Sequence, residues 1–377
     1  MIEWRRDLHL NPELGFNEFR TSSKIAELLK NFGIKVHQGI GGTGLVGTLE
    51  NGKAKRCIGL RADMDALPIK ETGNCQYRSQ NDGAMHACGH DGHTSMLLGA
   101  AKYLSDTKNF NGKIIFIFQP NEEHGLGAKA MIEDGLFNRF DVDDIYGIHN
   151  IPGMPLGFFE MRSGSITASE SLFEIKIKAK GGHAAMPHMG VDSILVGTEI
   201  VQTLQTIISR KIDPSLSGVV SVTEFITDGK RNVLPGSTIL RGDTRSLTHK
   251  INKTIEALIR QIVAGVCITH GVQADVYYET IFPPVINSRK SVLAANNAAC
   301  KLVGADSVDS DCSPKLFSED FAYFLDAKPG CFLLMGNGID GSNAMPLHSS
   351  DYDFNDNALP IGSSFWVQLV EQELPNF

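Results

Sequence analysis

The chain has 377 residues, 42% of them hydrophobic and 21% charged, with a formal net charge of -8. This is the balance of an ordinary soluble globular protein with room for two domains. An acidic chain with no basic run argues against a nucleic-acid or anionic-membrane partner, and no segment approaches the roughly 20 continuous apolar residues of a membrane span.

The first residues, "MIEWRRDLHL", carry charges with no apolar stretch after them, so no secretory signal is expected here. The seven cysteines, at 57, 75, 88, 267, 300, 312 and 331, are odd in number and scattered. A disulfide framework is not expected, and a reducing cytoplasm is the expected location.

In chain order, "TSSKIAELLKNFG" predicts a helix with Ile25, Leu28 and Leu29 on one face, a cap from Thr21, Ser22 or Ser23, and a stop at Gly33. Short apolar runs follow: "CIGL" (57–60), "KIIFIF" (113–118), "DIYGI" (144–148) and, much later, "CFLLMG" (331–336). With helical patterns between them, they predict an α/β domain with a mostly parallel sheet.

The middle of the chain alternates. In "LFEIKIKAK", Phe173, Ile175, Ile177 and Ala179 face one way and Glu174, Lys176, Lys178 and Lys180 the other, as in a sheet with one wet face. A helix is expected next, with Ile194, Val201, Leu204 and Ile208 on its apolar side. Then come strands at "GVVSVTEFI" (218–226) and "TILRGDTRSL" (238–247), and a helix near 249–266 with Ile255, Ile259, Ile262 and Val266 in register. A final strand, "VQADVYY", gives the order β-α-β-β-α-β, the ferredoxin-like split unit. The expected division is a discontinuous α/β domain, 1–167 and 282–377, interrupted by an α+β domain over 168–281. No internal repeat or low-complexity tract is evident.

Four groups carry chemistry. "MHACGHDGH" (85–93) places Cys88 and His90 two positions apart, where both can point the same way in a loop; thiolate and imidazole suit zinc and similar metals. A small buried cysteine beside a loop histidine has the same spelling. "IIFIFQPNEEHG" runs a buried-type strand out into Glu122 and Glu123, at the strand end where open α/β sheets place their sites. Adjacent acids repel unless a cation, a proton or solvent relieves them. "IYGIHN" brings His149 to a strand end, and "MPLHSSDYDF" puts His348 in a loop after "CFLLMG". Either histidine alone reads as ordinary. Together Cys88, His90, Glu123, His149 and His348 supply five donors and leave Glu122 over. One tetrahedral zinc needs at most four protein ligands, so this set suits two metals sharing a bridging group and a water.

These motifs, in this order, resemble those of the metal-dependent amidohydrolases that include hippurate hydrolases, N-acyl-amino-acid deacylases and plant auxin-conjugate hydrolases, within the aminoacylase/carboxypeptidase peptidase superfamily. The resemblance begins at "RRDLHLNPELGFNE" (5–18) and runs through "LRADMDALPI", "MHACGHDGH", "FQPNEE", "GIHN", "GGHAAMPH", "NVLPG", "GDTRS", "SEDFAYFL" and "PLHSS". It implies a dinuclear catalytic domain and an inserted lid domain. It makes Cys88 the bridging ligand, with His90, Glu123, His149 and His348 completing two metal shells and Glu122 as general acid/base. Relatives elsewhere in the superfamily carry a carboxylate where this chain has Cys88, which points to the amidohydrolase branch.

The implied reaction is hydrolysis of the amide of a small N-acyl amino acid, giving a carboxylate and a free amino acid. It needs two divalent ions per subunit, with zinc, manganese, nickel and cobalt all compatible. Glu122 takes the proton of the attacking water and passes it to the leaving amine. His183 in "GGHAAMPH" looks like an oxyanion or substrate contact, although without the resemblance it reads as an exposed loop histidine. Asn232 in "RNVLPG" and Arg245 in "GDTRS" are candidates for the substrate carboxylate; Arg245 equally suits a surface ion pair. Asp63 and Asp65 are expected to order the ligands from behind, and His86, Asp91 and His93 to support or simply pack. A homodimer through the lid domain is expected, with His183 acting in its own subunit or across the dimer. Three other readings compete. A dipeptidase or carboxypeptidase of the same superfamily would share the site. A cysteine hydrolase using Cys88 with His90 would leave Glu122, Glu123, His149 and His348 without a role, and a purely structural metal site would need no spare acid.

Overall fold

The computed structural model describes residues 1–376. In chain order its elements begin with α1 (Ile2–Leu10), α2 (Phe19–Asn31), β1 (Lys35–Gln38), β2 (Leu45–Asn51), β3 (Cys57–Asp63), α3 (His90–Thr107) and β4 (Gly112–Gln119). Next come α4 (Gly127–Glu133), α5 (Leu136–Arg139), β5 (Asp144–Pro152), β6 (Phe159–Glu160) and β7 (Gly164–Thr167). The middle holds β8 (Ser169–Lys178), β9 (Gly182–His183), α6 (Ser193–Leu204), β10 (Gly218–Thr227), β11 (Val233–Leu234), β12 (Ser237–Ser246), α7 (His249–His270) and β13 (Gln273–Phe282). The chain closes with β14 (Val285–Asn287), α8 (Arg289–Val303), β15 (Val308–Asp309), α9 (Phe321–Ala327), β16 (Gly330–Gly338) and α10 (Ala358–Glu373).

The chain forms two compact units. One comprises Met1–Ile166, Val285–Ser313 and Glu319 onward, the other Thr167–Pro284 with Pro314–Ser318. The short return of 314–318 to the second unit departs from the division expected from sequence. Strand periodicity carries no signal for a five-residue excursion that forms no strand of its own.

The first unit is an α/β structure. Its eight-stranded sheet runs β1-β2-β4-β3-β5-β16-β6-β15. The central strands β4, β3, β5 and β16 are parallel, while β1 and β2 add antiparallel at one edge. Both faces of the central strands are covered. On β4, Ile114, Phe116 and Phe118 join the core under α2, α3 and α10, while Ile115 and Ile117 join a second core with α4 and α9. That double burial is why these strands read as unbroken apolar runs. Parallel strands share one C-terminal edge, so the chain leaving β3, β4 and β16 emerges on the same side, near the end of β5.

The second unit has an antiparallel sheet, β10-β12-β8-β13, with α6 and α7 on one face. Phe173, Ile175 and Ile177 of β8 point into the helix-covered core. The helix faces differ in detail from expectation. On α6 the buried large apolar side chains are Val196, Ile200 and Leu204, while Ile194 is exposed and Val201 half-buried. Ile208 falls in a π-helical turn beyond the helix, which resets the period of the pattern. On α7 the stripe is Ile251, Ile255, Ile259, Val263 and Val266, with Ile262 at its margin.

In the first unit, α2 starts at Phe19, two residues before the expected cap. Thr21 and Ser22 lie inside the helix and are buried. The first turn is capped from outside by Glu13, whose carboxylate accepts from the N–H groups of Arg20 (3.1 Å) and Thr21 (2.8 Å). A cap supplied from earlier in the chain does not show in local spacing.

Candidate metal centre

The C-terminal edge of the parallel sheet gathers the titratable residues of the first unit. β3 ends at Asp63 and turns through Asp65. The carbonyl of Asp65 lies 2.9 Å from His90 Nδ1 and its Oδ1 3.2 Å away. A carbonyl only accepts, so Nδ1 carries a proton and Nε2 is the nitrogen left to face the site. Asp65 Oδ2 also accepts from the Glu123 N–H at 3.1 Å. One carboxylate therefore orients two of the expected ligands.

His149, on β5, has Nδ1 2.7 Å from the Asn150 carbonyl, so its Nε2 is likewise turned out. That Nε2 is 3.4 Å from Cys88 Sγ. Burial, then the neighbouring His93, holds His149 well below the usual histidine range and keeps it neutral. Cys88 and His90 flank Gly89, whose φ of +93° begins α3. A Cβ at Gly89 would fall on the Asn150 side chain, so this turn requires glycine.

Glu122 and Glu123 leave β4 through Asn121, a non-glycine residue at φ +47°. Glu18 holds that turn: its Oε1 accepts from the Asn121 N–H at 2.9 Å and its Oε2 from the Thr43 hydroxyl at 2.5 Å. Glu123 Oε1 lies 3.8 Å from His90 Nε2 and its Oε2 3.4 Å from His348 Nε2. His348 is half-exposed, sits at φ +65°, and donates its N–H to the Ala87 carbonyl at 2.8 Å. Such conformations cost energy and concentrate where a side chain must be aimed.

Behind the ligands lies a buried ionic layer. Arg61, fully enclosed, bonds Asp63 (2.7 Å), Gln119 (2.8 Å), Glu319 (2.9 Å) and Asp320 (3.2 Å). Asp63 Oδ1 is 2.6 Å from His93 Nδ1, and His93 Nε2 is 2.7 Å from Asn150 Oδ1. Both nitrogens of His93 are thus engaged away from the ligand set. Glu122 Oε1 lies 3.4 Å from the Asp320 N–H. Burial, with the charges of Glu319, Glu123 and Asp320, pushes Glu122 well above the usual carboxylate range.

The donor set fits divalent ions. His90 Nε2 and Glu123 Oε1 are buried and have no hydrogen-bond partner among the described residues, although unpaired buried polar atoms are costly. They face each other, with the thiol of Cys88 nearby. The ligand atoms of Cys88, His90 and His149 lie within 4.8 Å of one another, as do those of Cys88, Glu123 and His348. Burial raises Cys88 well above the usual thiol range and Glu123 to about 7, and against burial Asp63 and Asp65 lift His90 to about 10. Cys88 and Glu123 hold protons because burial, and then the neighbouring carboxylates, disfavour their charged forms; a divalent cation would supply the same neutralisation and release them.

The structure therefore gathers Cys88, His90, Glu122, Glu123, His149, His348, Asp63 and Asp65 in the first unit. His183, Asn232 and Arg245 lie in the second. His183 pairs with Val233 across the short β9–β11 ladder, and the Asn232 carbonyl accepts from the Ala184 N–H at 3.1 Å, so these two residues, far apart in the chain, adjoin on one ladder. His183 is exposed, and its Nδ1 accepts from the Ala185 N–H at 3.0 Å, which leaves Nε2–H as the outward donor of the neutral ring. Arg245 bonds Asp243 (2.9 Å), Glu170 (2.9 Å) and Ser318 (2.7 Å). These contacts use Nε and Nη1 and leave the Nη2 donors, so the ion pair is present and a substrate carboxylate is still compatible with it.

Sequence reasoning gave no role to Glu18, Arg61, Gln119, Asn150, Glu319 or Asp320. Glu319 and Asp320 are adjacent acids, the same signal that singled out Glu122 and Glu123. Arg61 was hidden inside an apolar strand.

Comparison with known proteins agrees with this geometry. The family model for peptidase family M20/M25/M40 matches residues 59–372. The chain is 39% identical over 366 residues to the hippurate hydrolase of Campylobacter jejuni subsp. jejuni, covering 97% of this chain and 94% of that protein. It is 36% identical over 369 residues to thermostable carboxypeptidase 2 of Saccharolobus solfataricus, covering 96% and 92% respectively. The crystal structure of Bacillus subtilis YXEP protein, described as a dinuclear metal binding peptidase from the M20 family, superimposes with a TM-score of 0.86 at 31% identity, covering 100% of this chain and 98% of that one. With the family model spanning most of its length and relatives this similar end to end, the chain belongs to peptidase family M20/M25/M40, among its amidohydrolases.

Proposed function

We propose that the protein hydrolyses the amide bond of N-acyl amino acids, using two divalent ions held by Cys88, His90, Glu123, His149 and His348, with Cys88 as the shared ligand. The observation that carries this reading is the pair of buried, unpartnered donors, His90 Nε2 and Glu123 Oε1, facing each other beside Cys88. Ions bound there would acidify a water and polarise the amide carbonyl. Glu122 lies next to the ligand set but is not needed in it. Its raised proton affinity suits a group that accepts a proton from the attacking water and returns it to the leaving amine. Asp65 fixes His90 and Glu123, and Asp63 sits behind them with Arg61.

In the second unit, the outward Nε2–H of His183 suits a developing oxyanion, and Asn232, beside it at the same ladder, suits the substrate carboxylate. We assign Arg245 to the pairing of β8 and β12. The acyl specificity is read best by a panel: hippurate, N-acetyl amino acids and auxin conjugates, each with zinc, manganese, nickel or cobalt restored to the stripped protein. Similarity to a carboxypeptidase supports a second reading, cleavage of peptides with a free C-terminus. Turnover of peptides and none of acylated amino acids would favour it.

A homodimer through the second unit is part of this proposal. β10 is an edge strand whose last residues, Thr223–Thr227, are all exposed and include Phe225 and Ile226. An apolar strand edge invites pairing with a second copy. The seven free thiols support a cytoplasmic location. No helix among the described residues is long and apolar enough to cross a membrane.

A further inference from the structure

The first unit contains another cluster of metal-type donors, formed by none of the residues assigned above. His9 comes from α1, and Glu71 and Cys75 from the segment between β3 and α3. His9 Nε2 lies 3.4 Å from Glu71 Oε1, and Cys75 Sγ lies 3.4 Å from the same oxygen. All three ligand atoms fall within 4.8 Å of one another.

The N···O separation is long for a good hydrogen bond. Both separations are close to those a shared ion imposes. Tetrahedral zinc, with bonds of about 2.0–2.2 Å to nitrogen and oxygen and 2.3 Å to sulfur, holds an N,O pair about 3.4 Å apart and an S,O pair about 3.6 Å apart. The donors are also braced from behind. Glu71 Oε2 accepts from the Ser79 N–H at 2.7 Å, which turns Oε1 toward the cluster. His9 Nδ1 lies 2.9 Å from Asp91 Oδ2. A carboxylate on Nδ1 leaves Nε2 for the metal, the usual arrangement behind a metal-binding histidine.

An independent observation points to a missing ligand. His86 is 1% exposed and neither of its ring nitrogens has a partner among the described residues. Its ring centre lies 6.3 Å from that of His9, about 1 Å wider than two imidazoles on one tetrahedral ion stand, so its ring must move inward by about that much to complete the shell. We propose that His9, Glu71 and Cys75, with His86 as the fourth donor, form a separate structural site for one zinc- or cobalt-type divalent cation.

Four protein ligands make a closed site of the structural kind. The thiol disfavours magnesium and calcium, which take oxygen. On binding, the Cys75 thiol gives its proton to solvent, and so does His9 Nε2 where the ring is protonated. The ion would fasten α1 and the segment around Glu71 to the start of α3. This inference does not rest on the hydrolase reading. The competing state is an imidazolium of His9 clasped between Glu71 and Asp91: burial lowers its pKa, but the two carboxylates raise it to about 9.

Metal content separates the two. The purified chain is stripped with chelator, reloaded with zinc and dialysed, beside Cys75→Ala and Cys75→Ser. Cys75 is half-buried with one weak contact, so both variants should keep the cooperative unfolding of the parent. The expected result is about one zinc equivalent fewer per chain in each. In a second arm, Cys88→Ala is loaded with cobalt. A thiolate-to-cobalt charge-transfer band should remain and should vanish in the Cys88→Ala/Cys75→Ala double variant. Equal zinc content in parent and Cys75 variants, with no Cys75-dependent cobalt band, would overturn the site and leave His9 as a buried imidazolium. Hydrolysis by the parent is untouched by that outcome.

Discussion

Glu122 and Glu123 are neighbours in sequence with different surroundings. Glu123 faces His90 and His348, whereas Glu122 faces the acids Glu319 and Asp320. Glu122→Gln should keep the metals and the fold and lower turnover by about 10²–10⁴-fold, the usual loss for a general acid/base. Turnover and metal analysis of the same preparation check this; near-normal turnover would remove Glu122 from the reaction. Cys88→Ala should lower metal content, because a shared thiolate contributes to both ions, and full occupancy would make Cys88 a packing residue. Glu18 gives a pH prediction. Burial, against the hydrogen bond from Thr43, pushes its carboxyl up to about 7. The unfolded chain releases that proton near 4.5, so between those values the folded state holds more protons and stability falls as pH rises. The loss is on the order of 3 kcal/mol between about pH 4.5 and 7. In Glu18→Gln this part of the slope should disappear, and denaturant titrations of both proteins across the window would show it. Parallel curves would mean that Glu18 titrates normally.

At the scale of elements, the helix α3 carries His90 at its first position and His93 one turn on, so its seating sets the ligand geometry. Gly92 lies in that first turn, and a Cβ there would fall on the ring of Phe354. Gly→Ala inside a helix ordinarily gains about 1 kcal/mol from propensity. Here overpacking opposes it by about 1–3 kcal/mol, so Gly92→Ala should be destabilising or neutral and should weaken metal retention. A clear gain in stability with full metal content would show that Phe354 moves aside freely. Patterning alone found β3, β4, β5 and β16, because strands buried on both faces are apolar throughout. It missed the short edge strand β1, with its mixed burial, and the cap from Glu13, which acts on α2 from outside.

At the scale of the whole molecule, two units with separate cores should unfold as two transitions. All five proposed ligands belong to the first unit. Chelation should therefore lower the transition of that unit and leave the other in place, because an ion bound only by the native state stabilises by mass action. Calorimetry with and without chelator checks this, and a shift of both transitions would show that they are coupled. The proposed homodimer has its own test. Mixing His183→Ala with Glu122→Gln subunits should restore activity if His183 serves the partner's site. Heterodimers that form and stay inactive would confine His183 to its own subunit.

The sequence by itself determined the order of elements and the residue types that converge. The alternation of β8 and the apolar run of β4 are consequences of one-sided and two-sided burial, which leave a local trace. Glu122, Glu123 and His149 were legible as candidates because parallel strands deliver their ends to one edge, and His348 because it follows such a strand in a loop. Cys88 and His90, which follow no strand, were legible mainly as members of that set. Only the tertiary structure decided which ring nitrogen each histidine turns outward, since that depends on the carbonyls of Asp65 and Asn150. It also decided that Arg245 is engaged and that Arg61 binds Asp63, Gln119, Glu319 and Asp320 beneath the site. Such contacts join residues as far apart as 61 and 320, and no periodicity spans that distance. They form because buried charges must find partners wherever the fold brings them.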